Sequence, residues 1–316
     1  MKPFRPVMLI TALFFLLWHH SPVVAQTPDD QPSPWPVEGI ENVWRLTDDL
    51  SSGGDPNGEK GLARLKALGF RTIISVDGAV PDVETARKLG IRYAHIPFGY
   101  DGIPKEAQLL LVRSFVELPK PIYLHCHHGK HRGPAGAAVM ARFGLNWSAE
   151  TAQAFMKSAG TSGDYPGLYS SVTKFEKPDA ATLAAIGKDP IPEQVEVADM
   201  VEMMVQIDWR FDRLKDWLKN ETANQPSSKG IDPDQEAIQL IELVKESARL
   251  PECRDQPAAF QKGFDVLTTD LDNWVKLIRE QKKTQAKPRL EYLSELTGQL
   301  KRATGQCNAC HKAYRN

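Results

Sequence analysis

The chain has 316 residues, enough for about two ordinary domains, each with its own core. Apolar residues make up 41% and charged residues 25%, a globular balance that excludes a disordered chain and a membrane-embedded one. The formal net charge of −1 excludes a broadly nucleic-acid-binding surface, so any attraction for an anion has to be local.

Lys2 and Arg5 precede an apolar run from Val7 to Trp18 that is broken only by Thr11, and Val23-Val24-Ala25 offers small residues for cleavage before Gln26. Residues 1–25 therefore read as a secretory signal peptide, because a spanning helix needs about 20 apolar residues. The mature protein is expected in the periplasm, with no membrane span after cleavage. Its four cysteines, Cys126, Cys253, Cys307 and Cys310, would meet oxidising conditions there. Residues 26–36, rich in Pro, Asp and Ser, read as a linker.

From residue 37 to 176, short β-rich runs alternate with helical stretches. Residues 71–76 (RTIISV), 93–98 (YAHIPF) and 121–126 are expected strands, the first preceded by a helix through Leu62, Leu65 and Leu68. Residues 105–118 carry Leu109, Val112, Phe115 and Val116 on one side of a helix, and 133–143 and 149–159 read as further helices. Strands separated by helices predict an α/β domain with a mainly parallel central sheet.

Within residues 122–133 an apolar strand runs into Cys126, and Arg132 follows six positions later, just before a helix begins near Gly133. Such a loop aims successive backbone N–H groups and a helix N-terminus at one point, which makes an anion cradle. The same field favours a thiolate, so Cys126 is the candidate nucleophile. Arg132 suits bidentate binding of phosphoryl oxygens and stabilisation of transition-state charge. Gly129 lets the loop turn where a side chain would obstruct it. Four of the eight histidines, His125, His127, His128 and His131, share this loop with Lys130. His125 is expected to brace the loop; the others are either solvated or, with Lys130, favour a polyanionic substrate. A metal site would need ligands from elsewhere, and none is evident.

The run resembles the loop of tyrosine and dual-specificity phosphatases, His-Cys-x-x-Gly-x-x-Arg followed by Ser or Thr. The strand near 42–46 and the segment SSGGDPNGEKGLARLKALGFRTIISV resemble the start of the small bacterial dual-specificity type, and the resemblance spans about residues 37–176. It implies hydrolysis of a phosphorylated small molecule or phosphoprotein through a cysteinyl-phosphate, with an aspartate on an upstream mobile loop as general acid. Asp101, between Gly99 and Gly102, stands at that point; Asp77 is the alternative, and an ordinary turn aspartate is the plain structural reading. Gly133 departs from the pattern. The missing hydroxyl helps stabilise the thiolate leaving group, so its absence implies slow turnover or an inactive, phosphate-binding descendant.

Residues 177–192, with three prolines and a glycine, read as the interdomain linker. Downstream, three- and four-residue steps mark four helices. The first carries Val197, Met200, Met204, Ile207, Phe211, Leu214 and Leu218, and the second Ile238, Ile241, Val244 and Ala248. The third carries Phe260, Phe264, Leu267, Leu271, Trp274 and Ile278, and the fourth Leu293, Leu296, Leu300, Ala303, Cys307, Cys310 and Tyr314. Residues 193–316 are thus expected to form an all-α antiparallel four-helix bundle.

Cys307-Asn308-Ala309-Cys310-His311 is a Cys-x-x-Cys-His run: two thiols add across haem vinyl groups and the histidine becomes the proximal iron ligand. A redox dithiol would instead open a helix after a strand. The ending CNACHKAYRN resembles the C-terminal motif of cytochrome c′ and its low-spin relatives. That implies one covalent haem c anchored by Cys307 and Cys310, with His311 as proximal ligand and a role in electron transfer or gas binding. A redox partner protein follows from the first role. The sixth position would face the first helix, where Met200 and Met204 are expected inward and Met203 off the stripe. Met204 is the candidate distal ligand, and core packing is its plain alternative. Cys253 is expected at the end of the bundle nearest the first domain, either free or in a reversible bond to Cys126.

Overall fold

The apolar runs expected as strands form one side of a six-stranded sheet in the computed structural model. The strands are β1 (Ser33–Pro34), β2 (Trp44–Arg45), β3 (Leu50–Gly53), β4 (Thr72–Ser75), β5 (Arg92–His95) and β6 (Ile122–His125), in the order β1-β2-β3-β6-β4-β5. The structure describes residues 31–185, 189–197, 199–225, 231–254, 256–285 and 287–314; the expected signal peptide, residues 1–25, lies outside them. Pairs from β3 to β5 are parallel, whereas β1–β2 and β2–β3 are antiparallel. The sheet is therefore mixed, with an antiparallel edge that includes residues 33–34 of the expected linker.

β3 was not expected as a strand, because Ser51-Ser52-Gly53-Gly54 has turn composition. All four of its residues are nevertheless buried, and it pairs with β6 along its whole length. Smallness is what permits this: a Cβ at Gly53 would collide with the Tyr123 phenol, whose hydroxyl donates to Gly54 O at 2.7 Å.

Side chains alternate across the sheet. Leu50, Ile74, Ile122 and Leu124 face one layer of core, with α3 (Lys105–Glu117), α4 (Arg132–Gly144), α5 (Ala149–Ser158) and α6 (Pro166–Thr173) contributing to it. Ile73, Tyr93 and Tyr123 face the other layer, against Leu62 and Leu65 of α1 (Glu59–Ala67) and Ala86 of α2 (Val83–Lys88). Asp82 and Ser148 cap α2 and α5 by accepting from the amides of Thr85 and Thr151.

The expected interdomain linker contains α7 (Ala180–Ala185). Its end is tied to the sheet edge: Ile191 is buried, and His95 N donates to Pro192 O at 2.9 Å. The C-terminal helical region holds α8 (Met200–Thr222), α9 (Pro233–Ser247), α10 (Pro251–Arg254), α11 (Ala258–Thr284) and α12 (Arg289–Tyr314). α8 packs on α9, α9 on α11, α11 on α12, and α12 on α8. Fully buried Trp274 donates from Nε1 to Leu296 O at 3.2 Å, which satisfies the polar edge of the largest core side chain.

One part of the stripe is corrected. Met203, expected off the seam, is buried with Leu250 and Cys253, whereas Met200 and Met204 are half-buried. α10 caps this end of the region and covers the α8 face carrying Met203. Among the described residues no helix is long and apolar enough to cross a membrane.

Candidate functional site

Cys126 directly follows β6, and the chain from 126 to 131 forms a tight loop before α4 begins at Arg132. The loop's carbonyls are drawn outward. His127 O accepts from Asp55 N, Gly129 O from Asn42 Nδ2, and Lys130 O from the Thr161 hydroxyl, each at 2.8 Å. Fixing carbonyls outward turns the intervening amides inward, toward the start of α4, where His131 makes no side-chain cap. Gly129 has φ +66°, and a Cβ there would strike the Gly53–Gly54 backbone, so both conformation and space require glycine. The loop thus wraps closely around Cys126, which is 3% exposed.

Arg132 is 1% exposed and sits in a charge cluster that sequence reading did not foresee. Its Nη1 is 2.6 Å from Glu246 Oε1, its Nη2 is 3.6 Å from Asp77 Oδ1, and its guanidinium lies 4.4 Å from the centre of the Tyr100 ring. Asp77 also takes a bidentate pair from Arg249, at 2.9 and 3.2 Å. Burial alone would raise the Asp77 carboxyl, but Arg132 and Arg249 outweigh it and hold the group well below the usual carboxylate range. Two guanidinium groups thus engage the Asp77 carboxylate and favour its charged form. Burial pushes the Glu246 carboxyl up, against the opposing pull of Arg132.

Asp101, the expected acid, bonds instead to Arg210 of α8, at 2.8 Å from Oδ2 to Nη2. Its loop is pinned rather than loose: Ile103 N donates to Ser171 Oγ, and Gly167 of α6 packs directly on the Asp101 carbonyl.

Three of the four loop histidines are drawn inward: His125 is buried, and His127 and His131 are half-buried. Burial lowers His127 and His131 to about 4, and lowers buried His125 as well. Burial therefore works against positive charge on these three rings. His125 has its Nε2 2.6 Å from the hydroxyl of Tyr93 on β5. His128 is exposed beside Glu41.

Gly133 packs closely against Cys126, where a Cβ would lie 3.3 Å from the Cys126 amide nitrogen. A Cβ built there would lie 3.3 Å from Ser52 Oγ and 3.4 Å from Cys126 Sγ. Ser52 is 1% exposed, and its hydroxyl has no hydrogen-bond partner among the described residues. It pairs in register with Leu124, so it points to the same side of the sheet as Leu124 and Cys126. A buried hydroxyl without a partner is costly, and this one borders the nucleophile.

A second site lies in the helical region. A cavity of about 730 Å³ is lined by Cys307, Cys310 and His311 of α12, by Met200, Met204 and Phe211 of α8, and by Phe264 and Leu267 of α11. Its size and apolar walls suit a porphyrin-sized ligand. The Cys-x-x-Cys-His run is helical, so both thiols and the imidazole reach the cavity from successive turns. Burial raises the Cys307 and Cys310 thiols. Cys253 opens onto this same cavity and, like Cys126, is free, so the alternative of a bond between them has no support in this arrangement.

No protein-family model matches the chain, and no curated protein matches it. Solved structures similar to it include P. aeruginosa TpbA, at 21% identity over 46% of this chain and 91% of that one, with a TM-score of 0.39. The core catalytic domain of the S. cerevisiae PP-IP phosphatase SIW14 is similar at 15% identity over 50% and 99%, with a TM-score of 0.40. Human DUSP28 is similar at 19% identity over 45% and 95%, with a TM-score of 0.35. What the site can do follows from its own residues.

Proposed function

We propose that the chain is an exported, periplasmic cysteine-dependent phosphatase joined to a four-helix, c-type haem region. The observation that carries the first half is the loop from Cys126 to Arg132, with carbonyls tied outward and a buried guanidinium at its end. Cys126 Sγ attacks phosphorus, and the bond to the leaving oxygen breaks. Arg132 and the loop amides hold the three phosphoryl oxygens. Asp101, once released from Arg210, gives its proton to the leaving oxygen. It then takes a proton from the water that displaces the thiolate and frees phosphate. The substrate class is a phosphomonoester.

The absent hydroxyl at Gly133 and the carboxylate on Arg132 favour a second reading, a cytochrome whose first region only binds anions. Ser52 favours turnover, because its unpartnered hydroxyl lies beside the place a side chain at Gly133 would take next to Cys126, from which it could reach the departing thiolate. Ser52→Ala is expected to keep a first-turnover burst but slow steady-state turnover roughly 10- to 100-fold, the worth of one hydrogen bond to a charged group. Gly133→Ser in that background is expected to restore the rate. An unchanged rate in Ser52→Ala assigns the hydroxyl no part in turnover.

The second half rests on the cavity at the Cys-x-x-Cys-His run. Cys307 and Cys310 would hold the haem by thioethers, with His311 on one side of it and Met204 on the helix opposite. The bound group would supply an iron centre for electron transfer to a partner protein or for binding small gases. Haem is expected to stay with the polypeptide on a denaturing gel. Cys307→Ala with Cys310→Ala is expected to lose all of it, and fully matured protein without haem would contradict this assignment.

A further inference from the structure

The last turn of α9 puts a carboxylate on the guanidinium that a phosphoryl group needs. Glu246 Oε1 is the nearest anion to Arg132, at 2.6 Å against 3.6 Å for Asp77. Asp77 is already neutralised by its bidentate pair with Arg249. Two guanidinium and two carboxylate groups thus balance in a nearly dry cluster. A dianionic phosphoryl group entering beside Glu246 and Asp77 would meet two like charges at low dielectric, so Glu246 and substrate cannot both occupy Arg132.

Glu246 also fits its place poorly. The contact is short but not aligned as a hydrogen bond: Glu246 Oε1 and the Nε and Nη2 of Arg132 all lack hydrogen-bond partners among the described residues. A guanidinium presents a planar fork, and a phosphoryl group with three oxygens can answer several of its donors at once. The carboxylate offers charge without that geometry. It stands in the last turn of α9, where the intrahelical bonds run out, and its side chain is 17% exposed beside Gly78, which has no side chain to confine it.

We propose that Glu246 is a built-in competitor for the phosphoryl group: an intramolecular anion from the helical region that holds Arg132 until substrate displaces it. This rests on the phosphatase reading above and adds that the C-terminal region sets how tightly the site takes its substrate. A resident competitor lowers apparent affinity by the fraction of molecules in which the site is free. Removing its charge while keeping its shape therefore tightens anion binding without any new contact.

The experiment is calorimetric titration of full-length protein with inorganic phosphate, together with steady-state hydrolysis of an aryl phosphate. Glu246→Gln is compared with wild type and with Glu242→Gln. Glu242 lies one turn earlier on α9 and bonds to the Tyr165 hydroxyl rather than to Arg132. Glu246→Gln is expected to bind phosphate at least about tenfold more tightly, with KM falling in step, while Glu242→Gln stays at the wild-type value. Three results overturn the proposal. Unchanged or weaker phosphate binding in Glu246→Gln, with wild-type turnover intact, leaves the phosphatase reading standing and makes Glu246 structural. Loss of kcat at unchanged phosphate affinity makes it part of the chemistry instead. Absence of phosphate binding and turnover in all three proteins removes the cradle and the competitor together.

Discussion

Cys126→Ser is expected to lower phosphatase turnover by at least about 10,000-fold while leaving affinity for inorganic phosphate within a few-fold of wild type. The two effects separate because the two jobs are separate in the structure. The cradle is built from backbone held by Asp55, Asn42 and Thr161, from the start of α4, and from Arg132, none of which depends on the sulfur. The nucleophile is one buried atom just past the end of β6. A serine hydroxyl fits that place but attacks phosphorus poorly without a base, and among the described residues no side-chain base is hydrogen-bonded to the Cys126 sulfur. An initial-rate assay with an aryl phosphate reads the loss. A variant that keeps a tenth of the wild-type rate moves the chemistry to another residue.

Asp77→Ala is expected to cost about 3–5 kcal/mol of stability, the largest effect of any substitution at the junction with the helical region. Asp77 is 1% exposed and anchors Arg249 in a bidentate pair, while also facing Arg132. Its removal strands buried cationic charge and loosens the contact between the loop after β4 and the end of α9. Chemical denaturation followed by far-UV circular dichroism measures it. The pH dependence has a fixed sign. Asp77 is held below its ordinary value of 3.8, so its contribution is complete above that value and fades as pH falls beneath it. The acid limb of the wild-type stability curve should therefore flatten in Asp77→Ala. A loss below about 1 kcal/mol with an unaltered acid limb contradicts the role given to this carboxylate.

The loop chemistry was legible because it is local. A strand, a cysteine, a glycine and an arginine at fixed spacing constrain one turn of backbone, which in the structure bends at Gly129 between buried Cys126 and buried Arg132. The long helices were legible for a similar reason, since apolar steps of three and four write one face. What escaped was set at long range. Glu246 and Arg249 carry no sign in the sequence that they leave the solvated side of a helix, and only the packing of α9 against the loops after β4 and β6 brings them to Arg132. Ser52 was hidden in a segment of turn composition, which becomes a strand because β6 needs a small-residue neighbour beside Tyr123. Met203 and Met204 differ by one position, and α10, four residues long, decided which of them is covered. Asp101 shows the limit in the other direction: loop order pointed to it, but the nearby Arg210 belongs to the helical region, which that reasoning left out.

The most direct test of the cysteinyl-phosphate reading is rapid acid quenching of wild-type protein during turnover of a labelled aryl phosphate, followed by peptide mapping. The expected result is one phosphoryl group on the peptide holding Cys126, with the mild-acid and iodine lability of an S-phosphorothiolate, and none in Cys126→Ser. Label on a loop histidine, or turnover with no protein-bound phosphate at any quench time, would contradict it.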